Sequence, residues 1–125
     1  MKNLALSGRS SKSYVQEEQY QTLMQGMKAG DYLFVGFGHN DEKADEGRYT
    51  NPNGNYLTEG SFANSLYVNY VKPAQEKGVT VVLCTPIVRR TATGIWEDSN
   101  LHITSDSGEF EGGNYAEAIR KMGED

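Results

Sequence analysis

The run Asp31-Tyr32-Leu33-Phe34-Val35-Gly36-Phe37-Gly38-His39-Asn40-Asp41 leaves this chain few options. Its apolar half is short and rich in aromatic and branched residues, and so reads as a buried strand, 32–37. Two glycines break it, and three polar side chains follow directly. In open α/β sheets ligands sit at the carboxyl ends of strands, so the polar cluster falls where a site belongs. An asparagine there can aim its amide N–H at an oxygen that gains negative charge during acyl transfer. Upstream, the stretch from Asn3 to Ser13 repeats the order: a short strand (3–6), the glycine Gly8 and a polar helix start.

The rest of the chain alternates in the same way. Ser13 and Gln16 have the spacing of a capping box, and Tyr20, Leu23, Met24 and Met27 form one apolar helical face. Gly30 fits the left-handed stop beyond that helix. A polar loop, 41–60, leads to a second helix near Ser61, with Phe62, Leu66, Tyr70 and Ala74 on one side. Pro73 inside it removes a hydrogen bond to Asn69 and is expected to kink it. Val79 to Cys84 is a continuous apolar run of the parallel-strand type, and Cys84 within it reads as a packed core thiol. Residues 85–113 are irregular, with a small hairpin expected from Ile95-Trp96 and Leu101-His102-Ile103. Asn114 and Glu117 cap a last helix whose face is Tyr115, Ala118, Ile119 and Met122. Strand–helix–strand–helix–strand order implies a three-layer α/β/α, doubly wound parallel sheet of the flavodoxin-like kind.

Composition narrows the partners. The 125 residues suffice for one core but lie near the lower end for a three-layer fold. Twelve basic against seventeen acidic residues give a net charge of −5, which argues against nucleic acid. The single cysteine excludes an internal disulfide and offers no metal-ligand spacing. No apolar stretch approaches the ~20 residues of a membrane span, and the first residues lack a signal-peptide apolar core. Compartment stays open on this reading, and no cofactor or metal is implied.

Gly30-Asp31-Tyr32, then Phe37-Gly38-His39-Asn40-Asp41, Arg48-Tyr49-Thr50, Thr85-Pro86 and Arg89-Arg90 together resemble the SGNH (GDSL-type) hydrolases. In order and spacing they are most similar to the branch containing rhamnogalacturonan acetylesterases. The two strand-end segments would be that family's blocks II and III. The resemblance covers nearly the whole chain, yet the family's Gly-Asp-Ser block and its Asp-x-x-His block are both missing. Asp98-Ser99-Asn100-Leu101 only echoes the first: Glu97 replaces the glycine, and it falls after block III on an expected turn. His102 and His39 both lack an aspartate three residues before them. The expectation is therefore an incomplete domain, 1–125.

Each candidate residue has a plainer alternative. Gly8 can be a tight turn; beside Asn40 and the family pattern it reads as a backbone N–H serving an oxyanion, with Ser7 where the family has a small residue. Asn40 can end the strand as an Asx-turn; by resemblance it is an oxyanion donor. His39 and Asp41 read as scaffold, Asp41 accepting loop N–H groups, with substrate contact by His39 as the lesser reading. Arg89 and Arg90 either bond loop carbonyls or Asp41 and Glu42, or one of them recognises a sugar carboxylate. Trp96, Tyr49 and Tyr56 either stack on sugar faces or pack their loops.

The resemblance implies an acetylesterase acting on an acetylated acidic polysaccharide, with Gly8 and Asn40 as its oxyanion half. Without nucleophile and base, the chain alone is expected to be inactive. Two alternatives remain: a noncatalytic carbohydrate-binding remnant, and a nucleotide- or phosphate-binding module built on Ser7-Gly8-Arg9-Ser10-Ser11-Lys12-Ser13. The latter lacks both the P-loop and the dinucleotide glycine patterns. In the family the nucleophile's strand lies between strands 3–6 and 32–37. The gap admits a strand from another chain or from the rest of the domain, direct pairing of the two, or an unstable fragment; the fragment reading is preferred.

Overall fold

The computed structural model describes residues 1–87, 106 and 108–124. Its elements are a short 3-10 turn (Ser13–Gln16), α1 (Glu18–Gly26), β1 (Tyr32–Val35), α2 (Phe62–Leu66), a π-helical turn (Tyr67–Val71), α3 (Lys72–Glu76), β2 (Thr80–Leu83) and α4 (Tyr115–Glu124). β1 and β2 pair in parallel, Tyr32 opposite Thr80 and Val35 opposite Leu83. The α2–α3 helix is the crossover between them, so the unit is βαβ. This is an α/β fold, and an incomplete one: the sheet has two strands among the described residues.

Residues 3–6 form no strand. A strand exists only through a partner's ladder, and among the described residues β1 pairs along one edge alone, with β2, so residues 3–6 join no ladder. The segment is instead tied by the Tyr14 hydroxyl, which donates to the Leu4 carbonyl at 2.6 Å, and Leu6 packs on the core. The expected strand 32–37 stops at Val35, just before Gly36, and 79–84 shortens to Thr80–Leu83. Cys84, expected inside, is exposed. It follows the end of β2, where none of the described residues buries it.

The first helix also begins differently. Ser10 and Ser13 exchange the reciprocal bonds of a cap, Ser10 N–H to Ser13 Oγ at 2.8 Å and Ser13 N–H to Ser10 Oγ at 3.1 Å. That turn is 3-10, and the α-helix starts only at Glu18. Asn114 caps α4 as expected, its Oδ1 accepting from Glu117 N–H at 3.0 Å, and Ser61 caps α2 by accepting from Asn64 N–H at the same distance. Pro73 is preceded by a π-helical break in the helix. It sits in the first turn of α3, where a missing N–H costs little, and the π-helical turn ahead of it absorbs the misfit.

The core gathers Tyr14, Val35, Phe62, Leu66, Tyr70, Tyr115, Ala118 and Ile119 between the inner sheet face and the helices. Phe37 lies tilted against Tyr14 and Tyr70, with ring centroids 5.7 and 5.0 Å apart. The hinge from strand to site loop is thereby packed.

Candidate active site

Asp41 organises the strand-end loops. It is fully buried, and its carboxylate accepts from Ser11 N–H (3.0 Å), Ser11 Oγ (2.5 Å), Gly38 N–H (3.2 Å) and Thr50 Oγ1 (2.7 Å). Burial pushes its carboxyl above the usual range, while those four donors pull the other way. The expectation that Asp41 accepts loop N–H groups holds. Its reach to Ser11, thirty residues earlier, joins the two strand-end loops.

Tyrosine hydroxyls brace this hub from below. Tyr70 donates to the Ser11 carbonyl at 2.7 Å; Tyr115 donates to the carbonyls of Asp41 (3.1 Å) and Thr50. Ser65 Oγ lies 2.8 Å from Ser11 Oγ. That Ser11, Thr50, Tyr70 and Tyr115 serve the Asp41 hub was not expected from the sequence. One signal was available: a tyrosine on a buried helical face must find an acceptor for its hydroxyl.

This arrangement brings Asn40 to the residue that follows Gly8. The Asn40 side-chain amide donates to the Arg9 carbonyl at 3.3 Å, so it stands beside the turn that Gly8 begins. Gly8 has φ +78°, and a Cβ built on it would meet nothing within 4 Å. The turn is fixed by Arg9, whose guanidinium bonds Glu17 Oε1 at 2.9 Å and the Ser7 carbonyl at 2.7 Å. The backbone thus passes Asn40 with an unobstructed, solvent-facing glycine.

Other candidates fare differently. His39 is exposed on the same loop. Tyr49 packs edge-on against Phe110 and donates to the Glu111 carbonyl, and Tyr56 packs against Tyr67, so both are engaged in loop packing. Arg89, Arg90, Trp96, the expected 95–103 hairpin, Asp98-Ser99 and His102 lie outside the described residues. The N–H groups of Ser10, Ser11 and Ser13, the basis of the phosphate-binding alternative, already donate to Ser13, Asp41 and Ser10. A buried carboxylate under that turn disfavours an anion there.

No protein-family model matches the chain. Three curated relatives do: the probable rhamnogalacturonan acetylesterase YesY of Bacillus subtilis (strain 168), 39% identical over 70% of this chain and 37% of its own length; rhamnogalacturonan acetylesterase RhgT of the same strain, 34% identical over 88% and 41%; and the rhamnogalacturonan acetylesterase of Emericella nidulans, 30% identical over 82% and 45%. The chain belongs to the SGNH hydrolase family. It spans less than half the length of these relatives. In fold it is similar to protein YxiM of Bacillus subtilis, with a TM-score of 0.62 and 23% identity, covering 98% of this chain and 29% of that one. In this SGNH chain Asn40 and Gly8 lie on one loop pair, joined through Asp41 and Ser11.

Proposed function

We propose that the chain is the oxyanion-hole part of a carbohydrate esterase domain that removes acetyl groups from a pectic polysaccharide such as rhamnogalacturonan. The observation that carries this reading is the Asn40 amide standing 3.3 Å from the Arg9 carbonyl, beside an open Gly8. Two donors on adjacent loops can serve one oxygen once a substrate carbonyl displaces the Asn40–Arg9 bond. The names of the relatives support the substrate class. His39, Arg89, Arg90 and Trp96 are assigned to the sugar side, an arginine pairing with a carboxylate of an acidic sugar.

Acyl transfer needs a nucleophile activated by a base, and the sequence contains neither a Gly-Asp-Ser nor an Asp-x-x-His block. Hydrolysis would then require those groups from outside these residues. The experiment is an ester assay with an acetylated pectic oligosaccharide, run beside a binding titration. The chain is expected to bind the oligosaccharide and to release no acetate above a buffer blank. Binding that survives Asn40→Ala unchanged favours the noncatalytic carbohydrate-binding reading. Acetate release that survives Asn40→Ala, or that Ser99→Ala abolishes, overturns the oxyanion assignment.

A further inference from the structure

Asn53-Gly54 is the only asparagine–glycine pair in the sequence. Both residues are exposed, on the loop between Asp41 and α2. The Asn53 side chain ties that loop to the segment ahead of α4. Its Nδ2 donates to the Gly112 carbonyl at 3.1 Å and to Glu111 Oε2 at 3.5 Å. Gly54 has φ +100°, and a Cβ added there would come within 2.9 Å of Thr58 Cβ. Glycine is therefore built into the turn, and no side chain shields its nitrogen from the neighbouring amide. Among the described residues no acceptor takes the Gly54 N–H. Other asparagines lack this combination. Asn51 is followed by Pro52, whose nitrogen carries no hydrogen. Asn64 and Asn69 lie within helical turns, and Asn40 precedes the buried Asp41.

We propose that Asn53 is a site of spontaneous deamidation, and that its conversion unties the 51–54 loop from residues 111–112. The Gly54 nitrogen attacks Asn53 Cγ, the Cγ–Nδ2 bond breaks, and the Gly54 proton goes with Nδ2, which leaves as ammonia. Water from solvent then opens the cyclic imide at one of its two carbonyls, leaving aspartate or isoaspartate. Either product replaces a donor by a carboxylate. The new group faces the Gly112 carbonyl and Glu111, whose Oε2 already accepts from Asn51 Nδ2 at 2.9 Å. Two acceptors and two like charges then meet where bonds held the loop, in a chain whose net charge is already −5. The proposal is independent of the esterase reading, because it uses only solvent water and this chain's own backbone.

The test is storage of the full chain at mildly alkaline pH and physiological temperature, followed by ion exchange, intact mass and peptide mapping. A more acidic species is expected to accumulate, with aspartate and isoaspartate mapped to Asn53. Its rate is expected to lie within about tenfold of that in the free peptide Tyr49–Thr58. Asn53→Gln, whose longer arm disfavours ring closure, is expected to abolish that species. Asn53→Asp is expected to speed amide exchange at Gly112 by about fivefold, with exchange at Val81 in β2 unchanged. The site assignment is overturned if Asn53 converts more than about tenfold slower than in the peptide, or if acid arises first at another asparagine. The untying is overturned if Asn53→Asp leaves Gly112 exchange at the parent rate. It is also overturned if Gly112 and Val81 speed up alike, which is a global loss of stability and not a local release.

Discussion

Ser11 gives Asp41 both its backbone N–H and its hydroxyl, so the turn after Gly8 and the loop of Asn40 share one buried carboxylate. Gly38 and Thr50 complete the set, so the loops of the two oxyanion candidates are held by a carboxylate that hydrogen-bonds to neither of them.

Asp41→Ala should lower stability by about 3 kcal/mol or more, because buried donors on Ser11, Gly38 and Thr50 lose their acceptor together. The loss falls short of four bonds summed, since the carboxylate's own burial is costly. Thr50→Val, which removes one donor, should cost about 1 kcal/mol. Urea unfolding of the two variants against the parent chain decides it; equal losses would remove Asp41 from its central role.

Gly8→Ala should cost only about 1–2 kcal/mol, the backbone penalty of a side chain in the left-handed region, since nothing lies within 4 Å of the new Cβ. Gly38→Ala should cost clearly more. Its φ is +131°, and the added carbon would come within 2.8 Å of Pro86 Cβ. Thermal melts of both variants give the ranking, and the reverse order would contradict the placement of Gly38 against Pro86.

Alkaline pH should unfold the chain through Tyr70 and Tyr115. Burial raises both phenols well above their ordinary value of 10.0, with nearby Tyr20 adding to the effect at Tyr70 and Tyr49 at Tyr115. A group raised in the folded state contributes stability that is fully present below its unfolded pKa and lost as pH rises past it. Stability should therefore hold below about pH 9 and fall through the ordinary tyrosine range. Tyr70→Phe should flatten part of that fall while costing about 1 kcal/mol at neutral pH through the lost bond to the Ser11 carbonyl. Urea midpoints followed across pH would show a parallel displacement, rather than a flattening, if Tyr70 did not take part.

Where local chemistry decides, the residues were legible. Asn114 and Ser61 cap their helices, Phe62, Leu66, Tyr70 and Ala74 are buried, and Asp41 accepts loop donors. Expectations failed where a distant partner decides. A strand at 3–6 needs a neighbour that β1 does not provide, and a buried Cys84 needs a layer over β2. The Ser13–Gln16 spacing lost to Ser10–Ser13, because the reciprocal pair forms one turn earlier. In the site, Asn40 and Gly8 stood out by type and order. The Ser11–Asp41 link did not, because nothing local in a sequence marks a hydrogen bond spanning thirty residues.

The wide turn at Tyr67–Val71 sets the rotational phase of the crossover helix. Four residues of regular α-helix overshoot a full turn by about 40°, and three such steps by about 120°. Phe62, Leu66, Tyr70 and Ala74 are spaced by fours, yet none is more than 1% exposed. The wide turn takes back the drift. Wound as regular α-helix throughout, the same residues would swing Tyr70 by about 80° and Ala74 by about 120° away from the face of Phe62. The hydroxyl beneath Ser11 would then point elsewhere, so the crossover helix acts as a gear whose tooth count sets the site loop.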